Sequence, residues 1–64
     1  MKQGEYKEIN GHIVRKGAHP TFRNRDGYAK SCYYIFESMD AMKNWNYIGI
    51  AYTMPEVKML TKDL

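Results

Sequence analysis

A single cysteine, Cys32, rules out an internal disulfide and the stapled frameworks of small secreted domains, so a reducing, cytoplasmic setting is expected. Histidine is almost as scarce. His12, His19 and Cys32 are the soft metal ligands, and they fall at neither the paired-cysteine nor the His-x₃₋₅-His spacing of a structural zinc site. No metal and no other cofactor is expected. The chain also lacks a glycine-rich phosphate loop, a nucleophile elbow and clustered carboxylates. Cys32 stands in an apolar run of tyrosines, where burial raises a thiol pKa instead of activating it, so it makes a poor nucleophile for a histidine base. Sixty-four residues leave little chain with which to enclose a cleft. An enzyme is not expected, and no catalytic residue is assigned. No apolar run approaches the ~20 residues of a membrane span. Met1-Lys2 leads into no signal-peptide core, so no membrane partner is expected and the chain reads as complete.

Acidic residues are thin in the first half. Residues 1–32 carry seven Lys and Arg against three acids, a balance of +4, whereas residues 33–64 carry three against four, a balance of −1. Such a skew points to an anionic partner, although a modest net charge also serves solubility alone. The excess is densest between Arg15 and Lys30, where Arg15, Lys16, Arg23, Arg25 and Lys30 meet one acid, Asp26, and alternate with Phe22, Tyr28, His19 and Asn24. Cations neutralise phosphates and rings stack on exposed bases, so Arg15, Lys16, Phe22, Arg23, Arg25, Tyr28 and Lys30 are the candidate residues for nucleic acid or another anionic partner. An ordinary solvated hairpin with Phe22 tucked into the core is the alternative. A continuous positive face through the five cations would favour nucleic acid, and scattered charges a protein partner.

Six tyrosines, two phenylalanines and one tryptophan are the other abundance. A chain this short buries only ~60% of the surface its unfolded form exposes, so several of these rings must lie partly at the surface. They either cap a small core or serve a binding surface.

The strongest structural signals are local. Asn10-Gly11 supplies the two positive-φ positions of a type I′ turn, which pairs Ile9 with His12, Glu8 with Ile13, Lys7 with Val14 and Tyr6 with Arg15. Neither face of that hairpin is purely apolar, so it is expected at a sheet edge. Gly17-Ala18-His19-Pro20 reads as a break. Thr21 to Arg25 and Tyr28 to Glu37 then flank a second turn signal, Asp26-Gly27, and Ser31 to Phe36 is apolar enough for a central strand covered on both sides. Ser38 to Trp45 reads as a short helix capped by Ser38, with a long hairpin loop as the alternative. Tyr47 to Tyr52 reads as a strand. Thr53 and Glu56 then stand at capping-box spacing, and Met54, Val57, Leu60 and Leu64 form an apolar stripe on a terminal helix. Gly49 and Ala51 leave a shallow place on the strand for that helix. Ser38–Lys43 resembles Thr53–Lys58, which suggests two strand-then-capped-helix units in tandem.

The stretch Ile48-Gly49-x-Ala51-x-Thr53-x-x-Glu56-Val57 resembles the strand-to-helix turn of plant-type AP2 and integrase amino-terminal modules, in which a three-stranded sheet reads DNA. The resemblance covers about the last 20 residues at pattern level and includes no DNA-reading strand, so no functional residue is carried over.

Together these readings give one small α+β domain, residues 1–64: an antiparallel meander of four to five short strands, a C-terminal helix on one face, and a short helix before the last strand. The expected function is a small non-enzymatic binding protein, of the accessory kind made by bacterial viruses and mobile elements, that docks its basic N-terminal hairpins on an anionic partner such as nucleic acid. The alternative is an inhibitor or adaptor that blocks a host protein, in particular a nucleic-acid-handling one. Self-association as a homodimer is also expected, because a small core gains from pairing and an edge strand offers free backbone groups.

Overall fold

The computed structural model describes residues 1–63. Its element order is β1 (Tyr6–Ile9), β2 (His12–Arg23), β3 (Ala29–Phe36), α1 (Met39–Lys43), β4 (Gly49–Ala51) and α2 (Met54–Asp63). The strands form one antiparallel sheet in the order β1-β2-β3-β4, so the fold is the small α+β meander that the sequence pattern implies.

The first hairpin has the register that its turn dictates. Asn10 and Gly11 adopt φ of 50° and 79°, and the four cross-strand pairs from Ile9–His12 to Tyr6–Arg15 are those of a two-residue loop. The Asn10 side chain also reaches beyond its own turn, donating from Nδ2 to the Thr61 hydroxyl at 3.1 Å. Thr61 in turn donates to the Val57 carbonyl at 2.8 Å. This chain of hydrogen bonds ties the sheet-edge turn to α2.

Gly17 to Pro20 does not break the chain, because β2 runs through it to Arg23. Between the pairs Ala18–Ser31 and Arg23–Ala29, residues 19–22 of β2 stand opposite Lys30 alone, a wide irregularity in the ladder. Pro20 is tolerated there because no ladder N–H is required of it. The freed amides of Thr21 and Phe22 donate to His19 Nδ1 at 3.2 and 2.8 Å, so the imidazole replaces the missing strand partner. Gly17 answers a packing need: a Cβ on it would meet the Tyr34 ring at 3.1 Å.

The second turn is also wider than its sequence suggests. Arg23 and Ala29 are the last pair, and Asn24 to Tyr28 form the loop, with Arg25 and Tyr28 in it and not in strands. Asn24 Oδ1 accepts the N–H groups of Asp26 and Tyr28 at 3.0 and 3.1 Å, while Gly27 takes φ of 86°. That side-chain bonding organises a longer loop than two residues need.

Central strand β3 feeds two cores on alternate residues. On one face Cys32, Tyr34 and Phe36 pack with Ile13 and with Met42 of α1. On the other, Ile35 packs with Val14, Ala51 and Val57 of α2, all four fully buried. Both helices follow strands and are capped as a tandem unit. The Ser38 hydroxyl accepts the Ala41 N–H at 3.1 Å, and the Thr53 hydroxyl accepts that of Glu56 at 3.3 Å. The return bond of the second cap lands one residue early, since Glu56 Oε1 accepts the N–H of Tyr52, at 2.8 Å, and not that of Thr53.

Two expectations about the C-terminal unit are corrected. The strand before α2 is only Gly49–Ala51 long, since Tyr47 and Ile48 belong to the approach and Tyr52 to the turn. The buried stripe of α2 is Met54, Val57 and Thr61, whereas Leu60 is exposed; Leu64 lies outside the described residues. A polar residue takes the inner position because its hydroxyl is satisfied twice over, by Val57 and by Asn10.

Candidate nucleic-acid interface

β1 pairs with β2 only up to Arg15, and β4 with β3 only at Tyr33 to Ile35. The β2–β3 hairpin thus forms an arm that starts within the sheet and, from Gly17 to Cys32, continues beyond its neighbours as two strands. Neither β2 nor β3 contains an Asp or Glu, while together they carry Arg15, Lys16, Arg23 and Lys30. The arm is basic because its strands hold no acid to offset these cations.

On the α1 face of this arm the cations lie over rings. Lys30 Nζ stands 5.0 Å from the centre of the Phe22 ring and 4.9 Å from that of Tyr52. His19 stacks on Tyr52 at 5.9 Å and meets the edge of Phe22 at 6.0 Å, so its ring both closes the ladder irregularity and holds this group together. Phe22 and Tyr52 stay 48% and 40% exposed, so each presents ring surface to solvent. Phe22 is therefore not tucked into the core.

A second group lies further along the same face. Trp45 packs against Tyr34 at 4.7 Å and Phe36 at 5.5 Å, Tyr47 against Tyr34 at 4.9 Å, and the Arg15 guanidinium sits 5.6 Å from the Trp45 ring centre. Trp45 stays 46% exposed. It follows α1 in the left-handed region, at φ of 58°. Its N–H bonds the Met42 carbonyl and that of Asn46 bonds the Ala41 carbonyl, the paired closure of a helix end that glycine usually occupies. Tyr34 joins the two groups. Its ring covers Gly17 and its hydroxyl donates to the Ala18 carbonyl. Burial pushes this phenol up to about 12, with the neighbouring Cys32 thiol adding to the effect. Burial likewise raises the Cys32 thiol, partly opposed by its hydrogen bond with Tyr34. Both groups are held neutral, so they act as packing.

The seven sequence candidates separate. Arg15, Phe22 and Lys30 gather on the α1 face. Lys16 lies over Tyr33, 5.8 Å from its ring centre, on the face that α2 covers. Arg23 pairs with Ala29, whose side chain points opposite to that of Lys30, so Arg23 is on that second face too. Arg25 and the 73% exposed Tyr28 are at the tip. The five cations thus surround the arm and do not form one continuous face. Sequence reasoning left Trp45, Tyr47 and Tyr52 outside the candidate set, because nothing local says that the turn after β4 lands beside Lys30.

The described residues enclose no pocket and bring together no group of three metal-ligating side chains. A ligand would meet an open surface. No helix among them is long and apolar enough to cross a membrane. Protein-family models, curated proteins and solved structures were compared with the chain, and none matches it.

Proposed function

We propose that the protein binds nucleic acid on the α1 face of the β2–β3 arm, as a non-enzymatic binding domain. One observation carries the reading: on an arm whose strands hold no acid, Lys30 and Arg15 stand over rings that remain about half exposed. Cations so placed meet phosphates while the rings beside them meet bases or sugars. The test is titration of labelled DNA and RNA at several salt concentrations. Affinity is expected to fall linearly on a logarithmic salt scale, and Lys30→Glu with Arg15→Glu to weaken it by more than tenfold. Absence of binding at micromolar protein, or affinity indifferent to salt, would end the proposal.

A second reading has its own observation. The cations lie on both faces of the arm and form no continuous positive face, the arrangement set out above as favouring a protein partner, and exposed Tyr and Trp side chains favour one too. A stoichiometric protein captured by the full chain and retained after nuclease treatment, with its contacts on the arm, would replace the first reading with this one.

A further inference from the structure

Duplex and single-stranded nucleic acids offer the same phosphates but not the same bases. In a duplex the flat faces of the bases are covered by their neighbours, so a protein ring can reach only edges and sugars. In a single strand each base can leave the stack and lie on a side chain. The distinction bears on the α1 face because three of its rings stay partly exposed. Phe22, Tyr52 and Trp45 are each 40–48% exposed.

These rings are also held in place. Tyr52 is fixed by His19 and by the turn into α2, where its N–H bonds Glu56. The His19 imidazole holds the Phe22 amide, and the Phe22 ring lies against His19 at 6.0 Å and Tyr52 at 6.3 Å. Trp45 is fixed by Tyr34, Phe36 and the helix-end closure. A ring held before the ligand arrives loses little conformational freedom on stacking. The two groups lie at different points of one strand face. Lys30 marks the first and Tyr34 supports the second, four residues further along β3, a span of ~13 Å. A single strand laid along β3 would meet Phe22 and Tyr52 at Lys30, then Trp45 at Arg15, with the cation that stands over each ring moving off it onto a phosphate as a base takes its place.

We infer that the α1 face takes single-stranded nucleic acid in preference to duplex, stacking bases on Phe22, Tyr52 and Trp45. The inference rests on the nucleic-acid reading above, and its test separates the two. The full-length chain is titrated at low salt against three labelled probes: a twelve-nucleotide thymidine strand, a twelve-nucleotide uridine strand and a twelve-base-pair DNA duplex. At least one single strand should bind tenfold or more tighter than the duplex, and the DNA and RNA arms show which sugar is taken. Trp45 is the sole tryptophan, so its emission reports the site directly and should change on binding. Phe22→Ala and Tyr52→Ala should each weaken single-strand binding about tenfold and duplex binding by clearly less. Phe22→Tyr keeps the ring and should restore affinity, and urea curves that show each variant fully folded under the binding conditions exclude misfolding. A preference below tenfold, or alanine variants that lower both affinities equally, would overturn the inference while leaving the nucleic-acid reading in place. No binding to any probe would overturn both.

Discussion

The two faces of the sheet are built from the same strands and finished differently. On the α2 face Val14, Ile35, Ala51 and Val57 reach zero exposure, and the one buried polar side chain among the described residues, Thr61, has its hydroxyl bonded to Val57 and Asn10. On the α1 face a five-residue helix covers only the Ile13–Phe36 end, and the remaining surface is rings with cations over them. A chain of this size cannot bury nine aromatics. It closes one face with aliphatics and Tyr33, and on the other it buries Tyr34 and Phe36 and leaves Phe22, Trp45 and Tyr52 partly exposed. Stability and recognition should therefore respond to different substitutions.

The largest expected effect breaks the closed face. Ile35→Ala removes a fully buried side chain from between Val14 and Val57 and should destabilise by about 2–5 kcal/mol. That is a large share of the total margin of a small domain. Tyr52→Ala on the open face should cost well under half as much, since the ring is already 40% exposed. Urea unfolding of both variants checks the contrast. Equal losses would mean that the open face is as much a part of the core as the closed one.

How far the sequence discloses this asymmetry depends on the range of each signal. Asn10-Gly11 sets its hairpin register alone, because a two-residue turn leaves one pairing. Ser38 and Thr53 cap helices within four residues of themselves, and the apolar run of β3 gives its central place directly. The misreadings arise where a side chain makes a bond that the local pattern does not announce. His19 holds β2 together across Pro20. Thr61 looks solvent-facing until Asn10, fifty-one residues away, supplies its partner. The candidate site was half legible for the same reason. Arg15, Phe22 and Lys30 lie within one basic segment, whereas Trp45 and Tyr52 join them only through tertiary packing.

An intermediate effect sharpens the comparison through pH. The fold holds Tyr34 as the neutral phenol, pushed up to about 12 from 10.0. As pH rises the unfolded chain releases this proton first. The stabilisation is therefore complete below pH 10 and is lost progressively between 10 and 12, a change of order 2 kcal/mol. Tyr34→Phe cannot titrate there, but it loses the hydrogen bond to Ala18, worth about 1 kcal/mol. The wild-type chain should be the more stable at pH 7, and its advantage should shrink and then reverse above pH 10. Urea midpoints of both proteins at pH 7, 9, 10 and 11 check this. Parallel curves would show that the phenol is not held neutral by its surroundings.

The smallest effect concerns Trp45, where the open face takes on backbone strain. A bulky residue at φ of 58° costs about 1–2 kcal/mol that glycine would not incur. The ring contacts with Tyr34, Phe36 and Tyr47, and the Arg15 guanidinium beside them, offset that cost. Two substitutions separate these contributions. Trp45→Ala removes the ring and keeps most of the strain, so it should be the less stable variant. Trp45→Gly removes both, and should lie about 1 kcal/mol above the alanine variant and close to the wild-type chain. Thermal unfolding of the three proteins gives the order. If the glycine variant unfolds no later than the alanine variant, the left-handed geometry carries no strain worth relieving, and the ring needs no further reason to be there. If it matches the wild-type chain while losing single-strand affinity, Trp45 contributes recognition in place of stability, and the division between the two faces reaches down to one residue.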